Sequence, residues 1–319
     1  MLKKLIKQLV RKLASPAFRQ ETETIPAITA VYQEMLAARQ SNNDASCEAI
    51  VFSKDRAMQL HALLSSYYEQ VSNPVKLHIL YRTSNERHAG SYEKLKQLFS
   101  NRDIHFIPEG SFKKDLEDLL ESIPSSRLFF MTDDGLFIDR FDLQEILHFN
   151  YFEFVPSVIK GMDLTYCYVS DKTQALPVFI RPAGFNLPAD MKCWEWSKAE
   201  QGSDWAYPLS LDTTFYDTRE MRAMIKQADY KGPNSLESAL HKLYAVIFFQ
   251  RKGICYNKAK YVNIACNVVN TEHANRNTGL HTAEDLLKKW EAGYRIKYED
   301  FYGKTCGEAE QSRFEFVLR

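Results

Sequence analysis

Between residues 47 and 140, short apolar runs alternate with longer stretches in which apolar positions recur at helical spacing. EAIVFS (48–53), VKLHILY (75–81), residues 104–107 and residues 127–131 read as strands. Runs of roughly four to eight such residues bounded by turn signals fit strands buried on both faces. Residues 57–70, 92–100 and 112–122 read as the intervening helices. A strand-helix-strand series predicts an α/β fold with a Rossmann-like, mostly parallel central sheet flanked by helices. Ligands collect beyond the carboxyl ends of such strands. After Ile138 the rhythm is less regular: an acidic, aromatic helix near 141–152, strands at 164–169 and 177–180, and an aromatic segment over 194–216. Helices follow near 218–227, 235–250 and 282–291.

The amino terminus has its own pattern. In MLKKLIKQLVRKL, Leu2, Leu5, Ile6, Leu9, Val10 and Leu13 fall on one helical face, with Lys3, Lys4, Lys7, Arg11 and Lys12 on the other. A basic amphipathic helix of this kind lies on an anionic membrane surface, docks on its own domain or contacts a second copy. Residues 37–46 read as a linker. The expected organisation is an amphipathic helix and linker over 1–46, the strand-helix series over 47–140, and the less regular half over 141–319.

Composition narrows the choices. A chain of 319 residues, 45% hydrophobic, can bury a large core. Lys plus Arg and Asp plus Glu both number 41, so no charge excess points to a nucleic-acid partner. The six cysteines are scattered without a Cys-x-x-Cys pair, which argues against a zinc ribbon or a disulfide framework and fits a reducing, cytoplasmic setting, where a membrane-bound amino-terminal helix would lie on the inner face. No apolar run approaches the roughly 20 residues that span a bilayer.

Candidate chemistry gathers at the strand ends. The first strand ends in Ser53-Lys54-Asp55-Arg56, the second in Tyr81-Arg82-Thr83-Ser84, the fourth in Thr132-Asp133-Asp134-Gly135. The chain has neither a G-x-G-x-x-G after the first strand nor a G-x-x-x-x-G-K-[ST] loop, so a nucleotide would be held by cationic and hydroxyl side chains such as Arg82. Asp-Gly between apolar strands is a hairpin signal. The same turn, with Gly135 at positive φ, would also present Asp133 and Asp134 as carboxylate ligands for Mn²⁺ or Mg²⁺, a diphosphate supplying further oxygens.

The arrangement resembles the GT-A fold of nucleotide-diphospho-sugar glycosyltransferases. IVFSKDRAMQLHALLSSYYEQ, LFFMTDDGLFI, DWAYPLSLDTTFYDT and PNSLESAL resemble, in that order, a group of glycosyltransferases known mostly from sequence, over roughly residues 48–300. The resemblance implies a nucleotide-sugar-binding half over 47–140 and an acceptor-binding half over 141–319, with Ser53, Lys54, Asp55 and Arg56 at the nucleotide, and Asp133 and Asp134 at metal and ribose. Glycine at the third position of the acidic motif departs from Asp-x-Asp, which leaves ligation to Asp133 and Asp134 and leaves a metal-independent enzyme open.

Glycosyl transfer needs stabilisation of the leaving phosphate, for which Arg56 or Lys54 serves. If it inverts configuration, a carboxylate must also take the acceptor's proton. Asp204 and Asp212 are the candidates, Asp204 ahead; turn roles are the alternative for each. Glu237 reads instead as half of a capping box with Asn234. Trp194, Trp196 and Trp205 are either an acceptor platform or core. His273 and His281 are further metal candidates by resemblance, His61 and His78 packing or surface residues, and Lys252, Lys258 and Lys260 solvated. Two functions follow: a glycosyltransferase acting on a glycan or lipid-linked acceptor, or a nucleotide-sugar-binding or assembly module on the same fold.

Overall fold

The computed structural model describes residues 45–264, 266, 267 and 280–319, with Thr29 and Gln33 before them. The basic helix expected over 1–13, most of the linker and His273 lie outside the described residues.

The strand-helix series forms as expected: β1 (Cys47–Lys54), α1 (Ala57–Gln70), β2 (Leu77–Arg82), α2 (Glu86–Leu98), β3 (Ile104–Pro108), α3 (Phe112–Ser122) and β4 (Arg127–Thr132). A later strand, β8 (Phe215–Asp217), adds antiparallel to β4, giving the order β8-β4-β1-β2-β3, parallel in the other pairings. β1 is buried along its first seven residues, which explains its unbroken apolar run. Helix α2 starts six residues earlier than its periodicity suggests, because the Asn85 side chain accepts from the His88 amide and caps it.

Register decides what meets at the sheet edge. Phe52 lies opposite Thr132, so Ser53 and Lys54 emerge beside Asp133 and Asp134. The chain then turns but does not fold back on β4. Instead β5 (Gly135–Phe137) leaves the main sheet and pairs antiparallel with β10 (Tyr261–Ile264), whose other neighbour is β12 (Glu310–Gln311), the strand that follows β11 (Tyr294–Ile296). A third sheet, β7-β9-β6, joins β7 (Met191–Glu195), β9 (Lys252–Tyr256) and β6 (Phe154–Gly161). One hydrophobic cluster runs from Cys47 to Ala309.

Gly135 departs from the positive φ expected of it, and what requires glycine there is the buried Tyr261 ring lying directly on its backbone. Gly135→Ala would drive a methyl group into that ring. It is expected to lower stability by about 1–3 kcal/mol in urea titrations, as overpacking does.

The second half holds the corrections. The helix expected over 141–152 shrinks to one turn, Gln144–Leu147. Asp142 accepts from the Gln144 amide at 2.9 Å and from the Asn73 side chain at 2.9 and 3.0 Å, which ties its start to the loop after α1. Residues 164–169 yield only Tyr166–Cys167, and 177–180 only a bridge from Ile180 to Cys193. Helices α4 (Thr218–Gln227), α5 (Pro233–Phe248) and α6 (Ala283–Glu291) stand close to their expected ranges. No helix among the described residues is long and apolar enough to cross a membrane.

Candidate active site

The carboxyl ends of β1 and β4 build a closed polar array. After β1 the backbone passes through Asp55 at φ 56°, a left-handed conformation that Asp tolerates better than most residues. The Asp55 carboxylate accepts from the Ser84 amide at 2.7 Å and the Ser84 hydroxyl at 2.5 Å, tying the ends of β1 and β2 together. The kink makes Arg56 the first residue of α1's cap and points its guanidinium across the sheet edge. One nitrogen, Nη1, donates to Asp133 Oδ1 and Asp134 Oδ2, both at 2.9 Å; Nη2 donates to the Asn267 carbonyl at 2.6 Å. Asp133 Oδ2 accepts from Ser53 Oγ at 2.9 Å and the Lys54 amide at 3.0 Å. Tyr92 Oη closes on Ser53 Oγ at 2.5 Å.

Asp133 is 3% exposed and Arg56 9%. Burial pushes the Asp133 carboxyl up, against the attraction of Arg56, which favours its charged form. Burial also works against the Arg56 charge, but the two carboxylates more than offset it and hold its pKa above the usual range.

This array opens into a cleft of about 950 Å³. Ser53, Lys54, Arg56, Arg82, Asp133, Asp134, Asp204 and Asp212 all line it; Asp55 lies behind, in contact with Ser84. Arg82 is exposed and faces Glu109 at 3.5 Å. Asp212 sits deeper, its oxygens accepting from Thr132 Oγ1 at 2.8 Å and Asn263 Nδ2 at 3.0 Å, and burial, then the Asp134 charge, pushes it up to about 6. Asp204 begins a single 3-10 turn and is clamped by Gln174, which donates to Oδ2 at 2.9 Å and accepts from the Asp204 amide at 2.9 Å.

Glu237 is not the cap. The helix begins at Pro233 behind Gly232, and Ser235 Oγ accepts from the Gly232 and Lys231 amides at 3.0 and 2.9 Å. Glu237 lies one turn further in, lines the cleft and accepts from the Tyr207 hydroxyl and the Leu211 amide; burial and Asp212 push it up to about 8. Lys160 of β6, Asn263 of β10 and Glu310 of β12 also line the cleft. Sequence reasoning missed these three because it recognised none of their strands. Pro156 within FVPSVIKG is the signal that hid β6.

The three tryptophans of the aromatic segment are core. Trp194, Trp196 and Trp205 are fully buried, the Trp194 ring 4.6 and 5.1 Å from the other two. The half-buried Tyr207, stacked on His241 at 4.4 Å, is left as an aromatic wall of the cleft. His61 packs among Phe99, Trp290 and Tyr298, His78 bonds Glu48 at 2.5 Å, and His281 packs on Phe314 and Phe316. Lys252 and Lys260 pair with Glu153 and Asp139, and Lys258 bonds the Gly303 carbonyl.

Among the described residues no group of three His, Cys, Asp or Glu could hold a metal ion. The oxygens of Asp133 already accept three protein hydrogen bonds, whereas Asp134 is partly exposed in the cleft. The described residues therefore fit a hard divalent cation chiefly through Asp134, with most of the coordination left to a ligand's own oxygens.

No family model matches the chain. Over 190 residues it is 25% identical to the bifunctional glycosyltransferase pgtA of Dictyostelium discoideum, covering 55% of this chain and 24% of that protein. Among solved structures it is similar to TarS of S. aureus, with TM-score 0.40 and 17% identity over 68% of this chain and 36% of that one. It is similar also to GalNAc-T7 with UDP, GalNAc and Mn²⁺, with TM-score 0.39 and 10% identity over 68% of this chain and 43% of that one. The chain thus spans about a quarter of the curated relative it matches.

Proposed function

We propose that the protein is a glycosyltransferase that moves a sugar from a nucleoside-diphosphate donor to a hydroxyl of a glycan or lipid-linked acceptor. The observation that carries this is the Asp133-Arg56-Asp134 array at the carboxyl edge of a parallel sheet, opening on a cleft that Asp212 and Glu237 also line. Similarity to glycosyltransferases supports the reading. In it, the donor lies over Ser53, Lys54 and Arg56, with Arg82 at the rim. Asp133 keeps Arg56 in place, and Arg56 and Lys54 offset charge developing on the leaving diphosphate. A divalent ion held by Asp134 would supply further stabilisation of that charge.

Asp212 is the better base of the two sequence candidates. It lies in the cleft near Asp134, and a carboxyl pushed up to about 6 is ionised at pH 7 yet more basic than an ordinary carboxylate. Asp204 is engaged by Gln174 and Cys167 at the side of the cleft.

Thermal shift tests the donor site. A nucleoside diphosphate binding only the folded protein raises Tm by mass action, with about 2.7 kcal/mol of stabilisation at a hundredfold excess over Kd. UDP or GDP is expected to raise Tm more with Mn²⁺ than with EDTA, and Asp134→Asn to remove that metal-dependent increment. Equal shifts in EDTA would count against Asp134 as a ligand, and no shift with any nucleotide would remove the donor site.

A further inference from the structure

The first turns of α5 present one polar face to the cleft. Asn234, Glu237, Ser238 and His241 all line it, at the three- and four-residue spacing that brings side chains onto one side of a helix. Leu236, Leu240 and Tyr244 keep the same spacing on an adjoining face and are buried. The Asn234 amide and the Ser238 hydroxyl have no hydrogen-bond partner among the described residues. His241 lies against one face of the Tyr207 ring, with 4.4 Å between centres and 19° between planes, and the half-buried Tyr207 itself lines the cleft. The Tyr207 hydroxyl donates to Glu237, which also accepts from the amide of Leu211, the residue before Asp212. That bond sets the α5 face beside the carboxylate assigned as base.

We propose that this face of α5, with the Tyr207 ring, is where the sugar of the acceptor binds, one of its hydroxyls directed at Asp212. The proposal rests on the glycosyltransferase reading and adds the acceptor site and the residues that select its ligand. None of the four α5 side chains carries a charge at neutral pH: burial, then Asp212, pushes Glu237 up to about 8, and burial holds His241 below the usual histidine range. Uncharged groups that donate and accept match sugar hydroxyls, which do both, whereas a diphosphate is answered by Lys54 and Arg56. One helical turn, about 5.4 Å, is close to the breadth of a pyranose, so Asn234 and Ser238 can bond hydroxyls of one ring. Tyr207 gives the sugar's C–H groups an apolar wall. A few placed polar groups beside apolar surface is the usual make-up of a small-ligand pocket.

Nucleotide sugars are first screened for slow hydrolysis. With the hydrolysed donor, release of nucleoside diphosphate is then followed against rising methyl glucoside, methyl galactoside, methyl mannoside or N-acetylglucosamine, at least one of which should accelerate it. Ser238→Trp fills the face from an exposed helix position. It should lower kcat/KM for that sugar at least about tenfold more than it lowers kcat/KM for hydrolysis of the donor alone. Tyr207→Ala should raise KM for the sugar about two- to tenfold, the range for a lost ring contact, and Tyr207→Phe, which keeps the ring, should recover most of that loss. Circular dichroism checks that each variant is folded. Equal losses of hydrolysis and transfer in Ser238→Trp overturn the proposal, because they put the donor rather than the acceptor on α5. So do unchanged transfer in Ser238→Trp, a Tyr207→Phe variant as impaired as Tyr207→Ala, and hydrolysis that no sugar in the set accelerates. Absence of hydrolysis with every nucleotide sugar overturns the transferase reading, and this proposal with it.

Discussion

Arg56→Met is expected to lower the free energy of unfolding by about 3–5 kcal/mol, the usual consequence of removing one partner of a buried ion pair. The methionine keeps the apolar stem of the side chain, but the Asp133 carboxylate loses its counter-charge in a buried setting, and Asp134 loses the same donor. The Asn267 carbonyl loses its donor as well. Urea titrations of Arg56→Met, Asp133→Asn and the double variant give the coupling directly. The double variant should recover much of the deficit, because a neutral amide beside methionine leaves no orphaned charge. The pH dependence has a defined sign. Without Arg56 the folded-state pKa of Asp133 rises further above its unfolded value, so the variant recovers as the pH is lowered and loses stability as it rises. A deficit below about 1 kcal/mol that is flat with pH would mean the pair does not hold the sheet edge together.

That pair also shows what the sequence could and could not reveal. The first four strands and three helices were legible from local properties: β1, β2 and β4 are buried runs, β3 is a part-exposed edge strand that still reads as apolar, α1 is buried on most of its sides, and α2 and α3 each bury one face. The neighbourhood of Ser53-Lys54-Asp55-Arg56 and Asp133-Asp134 followed once a parallel sheet was assumed, since equivalent strand ends share an edge. The contact of Arg56 with Asn267 spans 211 positions and has no local signature. The same holds for Asn263 and Glu310, which reach the cleft only because β10 pairs with β5 on one side and β12 on the other. Glu237 was misread for a different reason. Asn-Ser-Leu-Glu satisfies the capping pattern, but Pro233 starts the helix earlier, and the serine takes the cap. The tryptophans were undecidable by composition, because a ring that packs on a sugar and one that packs on another ring have the same hydropathy.

Asp212→Asn is expected to lower kcat for transfer by about 10²- to 10⁴-fold, the range for loss of a general base, with a smaller change in KM for the donor. The amide can still accept from Thr132 or Asn263 through its oxygen, so the pocket shape is kept while the proton acceptor is gone. In the parent protein kcat should fall as the pH drops through about 6, where Asp212 takes up its proton, and this acid limb should be missing from the residual activity of the variant. Stability should move the opposite way. A carboxyl whose folded pKa lies above its unfolded value stabilises the protein when protonated, and that contribution is lost as the pH rises towards about 6. At pH 7 the parent therefore carries a buried charge that the asparagine variant lacks. The variant should be as stable as the parent or more so, the pattern of a group kept for chemistry at some expense of folding. Loss of activity accompanied by a lower urea midpoint at pH 7 would instead mark Asp212 as a structural bridge between Thr132 and Asn263, and would return the role of base to Asp204.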